Sequence, residues 1–119
     1  MVDSCILHIN DLDWVIKKVP EDDPHLVDDE GKAYGVCSVN ECAIYIQGSG
    51  LNKQLYYKFL KHEINHAYIF SYLRSKENWN EEDVCEWMEA FAEYVIDDAL
   101  WAVKKLYNYK VKWEDRHGS

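Results

Sequence analysis

Positive charge is scarce in this chain. Its 13 lysines and arginines are outnumbered by 22 aspartates and glutamates, a formal net charge of −9. Phosphate backbones and anionic lipid surfaces are held by clustered Lys and Arg, so neither nucleic acid nor a membrane surface is an expected partner. Long apolar runs are also missing. Nothing approaches the roughly eighteen consecutive apolar residues of a membrane-spanning helix. The stretch from Met1 to Ile6 has no basic segment leading into an apolar one, so a cytoplasmic location is expected rather than secretion. Cysteine is present but unpatterned. Cys5, Cys37, Cys42 and Cys85 lack paired metal-ligand spacing and read as reduced thiols, not a disulfide framework.

What is present suffices for one core. With 48% hydrophobic residues over 119 positions, the chain reads as a single α+β domain. Residues 1–50 form a β-layer with loops, 51–108 a two-helix core and 109–119 a polar tail. Strands are expected at 5–9 and 14–19, where β-branched and apolar residues cluster. The segment from Pro20 to Lys32 is Pro- and Asp-rich and reads as a solvated loop. Residues 34–39 and 42–46 flank Asn40-Glu41 as an antiparallel hairpin. The expected architecture is therefore a small antiparallel sheet against two long helices, about 51–74 and 80–107. Asn80 is placed to cap the second helix, and Glu81, Glu82 and Asp83 suit the positive end of its dipole.

The chemistry lies in the first helix. His62-Glu63-Ile64-Asn65-His66 reads H-E-x-x-H, and residues four apart on a helix are separated by about 40° around its axis. Both imidazoles can reach one zinc ion, leaving Glu63 as general base toward water. Three matching positions also arise by chance in many chains. The context argues for chemistry, because Leu55, Phe59, His62, His66 and Leu73 share one stripe while Leu60, Ile64 and Ala67 share another. A helix apolar on most sides is expected to be packed on both flanks. Histidines in such a place need hydrogen bonds or a metal.

A catalytic zinc usually takes three protein ligands. The second helix carries an acidic stripe, Glu82, Glu86, Glu89, Glu93 and Asp97, most of which reads as a solvated face. An H-E-x-x-H helix followed closely by an acidic helix resembles the gluzincin metallopeptidases. It resembles more closely the small ImmA/IrrE-like metallopeptidases of bacteria and phages, whose next helix opens with E-x-x-A-N or E-x-x-A-D. Here the corresponding stretch is Glu82-Asp83-Val84-Cys85-Glu86, and the resemblance extends over residues 42–98. It implies a minimal zincin-like domain cleaving a protein or peptide substrate, with zinc held by His62, His66 and Glu82 and with Glu63 as base. Glu86 would then orient a ligand histidine or serve as the alternative third ligand, with Glu89 behind it. An edge strand within 34–46 would hold the substrate by strand addition. A different class of function is a small acidic binding or inhibitor protein that keeps the scaffold and covers a basic partner.

Overall fold

The computed structural model describes residues 3–73 and 78–107. Within them the element order is β1 (Ser4–Ile9), β2 (Leu12–Val19), β3 (Val27–Asp28), β4 (Gly31–Lys32), β5 (Gly35–Ser38), β6 (Ala43–Gln47), α1 (Lys53–Ser71) and α2 (Glu81–Leu106). The expected α+β class is found: a small sheet and two helices. The expected tail lies outside the described residues.

Chain reversal at Asn10 and Asp11 joins β1 to β2. Both residues have positive φ, 46° and 66°, the paired left-handed conformation of a two-residue turn that matches strand twist. The antiparallel β5–β6 hairpin forms as expected, with Val36 opposite Tyr45 and Ser38 opposite Ala43. The sheet is nevertheless mixed, which corrects the expectation of an antiparallel one. Its order is β1-β2-β6-β5, and β2 runs parallel to β6 from Val15 opposite Ala43 to Val19 opposite Gln47. The chain first lays β5 at the far edge and turns β6 back into the gap. An inner strand is covered on both faces, and all five residues of β6 are buried.

One face of β6 meets the helices. Trp14, Ile16, Ile44 and Ile46 join Leu60, Ile64, Ala99 and Val103 in the main core. On the other face Leu26 covers Ala43 and Tyr45. The segment expected as a solvated loop thus closes a small second core and contains the β3–β4 pair.

Side-chain caps start both helices. Asn52 accepts from the Leu55 N–H at 2.9 Å. Asn80, as expected, caps α2: it accepts from the Asp83 N–H at 2.8 Å while Asp83 accepts from the Asn80 N–H at 3.2 Å. Helix α1 ends at Ser71 with Tyr72 as its C-cap, a few residues short of the expected end. Its last turn is clamped to the β1–β2 corner. The Trp14 indole donates to the Ser71 hydroxyl and the Asn10 amide to the Ser71 carbonyl, each at 2.8 Å.

The two apolar stripes of α1 have different fates. Leu60, Ile64 and Ala67 are fully buried, whereas Leu55 is 39% and Leu73 84% exposed, and both histidines face solvent. The helix is therefore packed on two flanks, against the sheet and against α2, as expected, and is open along the side that carries the histidines.

Candidate metal centre

His62, Glu63 and His66 lie on the middle of α1, which is anchored beneath by the burial of Leu60, Ile64 and Ala67. One ligand atom from each of the three falls within 4.8 Å of the other two. The Nε2 atoms of His62 and His66 face each other at 3.1 Å. The rings stand nearly perpendicular, with centroids 4.7 Å apart. Burial lowers the pKa of His66, and the neighbouring His62 lowers it further. A neutral imidazole offers a free lone pair, so this donor set fits a cation of the zinc type.

Glu63 has a different setting. It is buried against β5, on the side of α1 that faces the sheet edge. A side chain on Gly35 would place its Cβ 3.2 Å from Glu63 Cγ, so glycine leaves the room that Glu63 occupies. Burial pushes the Glu63 carboxyl above the usual carboxylate range. The charge of His62 pulls it down, that of Asp28 pushes it up, and the Cys37 backbone amide pulls it down. A carboxyl raised in this way is suited to holding a proton and returning it.

Among the described residues strand β5 pairs with β6 on one side and with no strand on the other, where the Cys37 N–H donates to the Glu63 carboxyl. The Gln47 N–H donates to the Tyr34 carbonyl at 2.9 Å, which fixes the alternation of the β5–β6 ladder. By that alternation the backbone groups of Gly35 and Cys37 point away from β6, toward the helix bearing the histidines.

Two cavities meet at this edge and share Gly35, His62 and Glu63. One, of about 490 Å³, runs past His66 along Val36, Cys37 and Ile69 and is bordered by Asp28. The other, of about 680 Å³, opens between α1 and α2.

No carboxylate of α2 joins the histidine group among the described residues. Glu82, Glu86 and Glu89 are all exposed. The cause is the rotational setting of α2. Trp87 is buried and donates its indole N–H to the Asn65 side-chain oxygen at 3.1 Å. Relative to Trp87, Glu82, Glu86 and Glu89 lie about 140°, 100° and 160° around the helix. The expectation that Glu82 or Glu86 completes the ligand set is thus not met by this geometry. Sequence reasoning missed Asp28, whose acidic neighbourhood looks like any solvated turn. No local signal marks it, because its place beside the site depends on how the β3–β4 segment folds back.

Comparison of the chain with family models, with curated proteins and with solved structures finds no match. The functional reading therefore rests on the geometry of this site.

Proposed function

We propose that the chain is a zinc-dependent hydrolase acting on a peptide bond, with His62 and His66 as metal ligands and Glu63 as the base. The observation that carries this reading is the convergence of the two Nε2 atoms, 3.1 Å apart, beside the Glu63 carboxylate. A zinc ion so held would act as a Lewis acid and lower the pKa of water to about 7. Glu63 takes the proton from attacking water and delivers it to the leaving amine. Its buried position and the hydrogen bond from the Cys37 N–H keep the carboxylate in place. The outward backbone groups of Gly35 and the Cys37 carbonyl suit an extended peptide laid along β5, while the Cys37 N–H holds Glu63. Asp28 borders the same cleft as the histidines without being one of the groups that converge with them, and its charge would favour a cation there.

The test is metal titration followed by a peptide-library assay. One zinc per chain is expected, and His62→Ala or His66→Ala should weaken binding strongly, since each removes a direct ligand. Glu63→Gln should retain zinc and lose roughly 10²–10⁴-fold in hydrolysis. Purified protein that binds no added zinc would end this reading.

The second reading, an acidic binding protein, draws support from α2. Glu82, Glu86, Glu89, Glu93 and Asp97 are all exposed, and so are the nearby Tyr94 (63%) and Leu100 (53%). A tight complex with a basic protein, unchanged by Glu63→Gln, would favour it.

A further inference from the structure

The larger of the two cavities lies beside Glu63 and His62 but plays no part in the proton and metal chemistry. Its volume, about 680 Å³, is that of a site for a sizeable ligand group. Phe59, Ala92, Val95 and Trp87 contribute to an apolar wall. Tyr34, which also lines the cavity, stacks on Phe59 with ring centroids 5.1 Å apart, and Trp87 is backed by Phe91 at 4.2 Å between centroids. At the outer lip Met88 and Ile96 are 56% and 39% exposed, a large apolar surface for two residues of a helix.

In a chain of net charge −9, the charged side chains lining this cavity, apart from Glu63, are Lys58 and Lys61. Lys58 is exposed, and Lys61 is half-buried with its ammonium 4.9 Å from the Tyr57 ring centroid. The adjoining smaller cavity has no lysine in its lining and is bordered by Asp28. A chain passing Glu63 along β5 therefore has a cationic, apolar chamber on one side and, on the other, the histidine cleft bordered by Asp28.

We propose that the larger cavity receives a bulky apolar side chain of a peptide, and that Lys58 and Lys61 select an acidic residue next to it. The proposal rests on the reading of β5 and Glu63 as a peptide-binding edge, and it names the substrate class for that edge. Apolar surface in the chamber supplies a place for a leucine- or phenylalanine-sized group. The two lysines discriminate by charge, since an acidic neighbour gains what a basic one loses. Asp28, on the other side of Glu63, gives the bound peptide a direction.

The experiment measures binding rather than turnover, on full-length Glu63→Gln protein, so that cleavage cannot obscure it. Fluorescence anisotropy would compare labelled, end-blocked hexapeptides containing Leu-Asp, Ala-Asp or Leu-Lys at the centre. The Leu-Asp peptide should bind about tenfold or more tightly than either of the others. The pair Lys58→Glu and Lys61→Glu should reverse the Asp-over-Lys preference while leaving the Leu-over-Ala preference in place. Ala92→Phe, which fills the chamber, should remove the Leu-over-Ala preference. If that variant fails to fold, the two surface charge reversals carry the test alone. Equal binding of all three peptides, or a charge preference untouched by the lysine reversals, would overturn the proposal. So would a concentration-dependent dimer in sedimentation that shuts peptides out, since a second copy would then occupy the chamber. Selective peptide binding without any zinc binding would sink the hydrolase reading and leave the recognition proposal standing.

Discussion

The indole N–H of Trp87 reaches the side-chain oxygen of Asn65 across the two helices at 3.1 Å, one position before His66. That bond sets the roll of α2 against α1. It turns a tryptophan, rather than a glutamate, toward the helix that carries the histidines. The acidic stripe is left on the outside, where it complements the helix dipole at its start and solvates the rest.

The third-ligand question can accordingly be settled by titration. Asp28→Asn should weaken zinc binding by about 10–100-fold, the range typical of lost supporting carboxylates, whereas Glu82→Gln should leave it nearly unchanged. Competition titration with a zinc chelator measures both. A larger loss from Glu82→Gln would mean that α2 rolls when the metal binds, and the Trp87–Asn65 bond should then break.

Gly35 offers a second test, through Glu63. A methyl group at Gly35 would stand 3.2 Å from Glu63 Cγ, closer than side chains normally sit, and 3.5 Å from Ile46 Cδ1. Glu63 is the neighbour able to give way. Gly35→Ala should therefore lower hydrolysis by about tenfold or more while zinc affinity holds, because a small misplacement of a catalytic group is costly. Retained activity would mean that Glu63 already works from another position.

Ser71 bears on stability rather than on chemistry. Trp14 is completely buried, and its indole N–H is satisfied by the Ser71 hydroxyl at 2.8 Å. Ser71→Ala strands that donor and should cost about 1–3 kcal/mol in urea unfolding. The loss should appear without any change in zinc affinity, since Ser71 lies beyond His66 at the end of α1.

Asp98 should leave a mark on the pH dependence of stability. Burial pushes its carboxyl above the usual range; the hydrogen bond from the Tyr68 hydroxyl pulls the other way and the charge of Asp97 adds to the rise. The folded chain thus holds this proton more tightly than the unfolded one. Stability falls as pH rises from the unfolded carboxyl value, about 3.9, through the raised folded value, and levels off above it. Asp98→Asn keeps an acceptor for Tyr68 and removes the buried charge. Its unfolding midpoint relative to the parent should be more favourable at pH 7.5 than at pH 3.5. A difference independent of pH would contradict the assignment.

The cysteines allow a simple chemical check. Burial pushes the Cys37 thiol up to about 12, helped by the charges of Glu63 and Cys42. It pushes Cys5 up to about 11 against the pull of Lys105. Cys85 is exposed. Alkylation at pH 7.5 should therefore reach Cys85 well before Cys5 or Cys37, as peptide mapping over time would show.

Local pattern and local capping chemistry are what the sequence by itself determined. The H-E-x-x-H spacing puts two imidazoles on one side of any helix. Asn80 followed by Asp83 caps a helix start whatever lies around it, and β-branched runs mark the strands. These features depend on bonds within a few residues. Tertiary structure alone decided which way each pattern faces. The order β1-β2-β6-β5, the parallel β2–β6 pair and the approach of Asp28 all join residues distant in sequence. The roll of α2 was equally out of reach. Its apolar residues cover more than one stripe, so periodicity alone could seat either Met88 or Trp87 inward. Packing chose Trp87, whose large ring fills the space beside Phe91 and whose N–H finds Asn65. Once that residue is buried, the helical repeat of about 3.6 residues carries Glu82 away from the histidines.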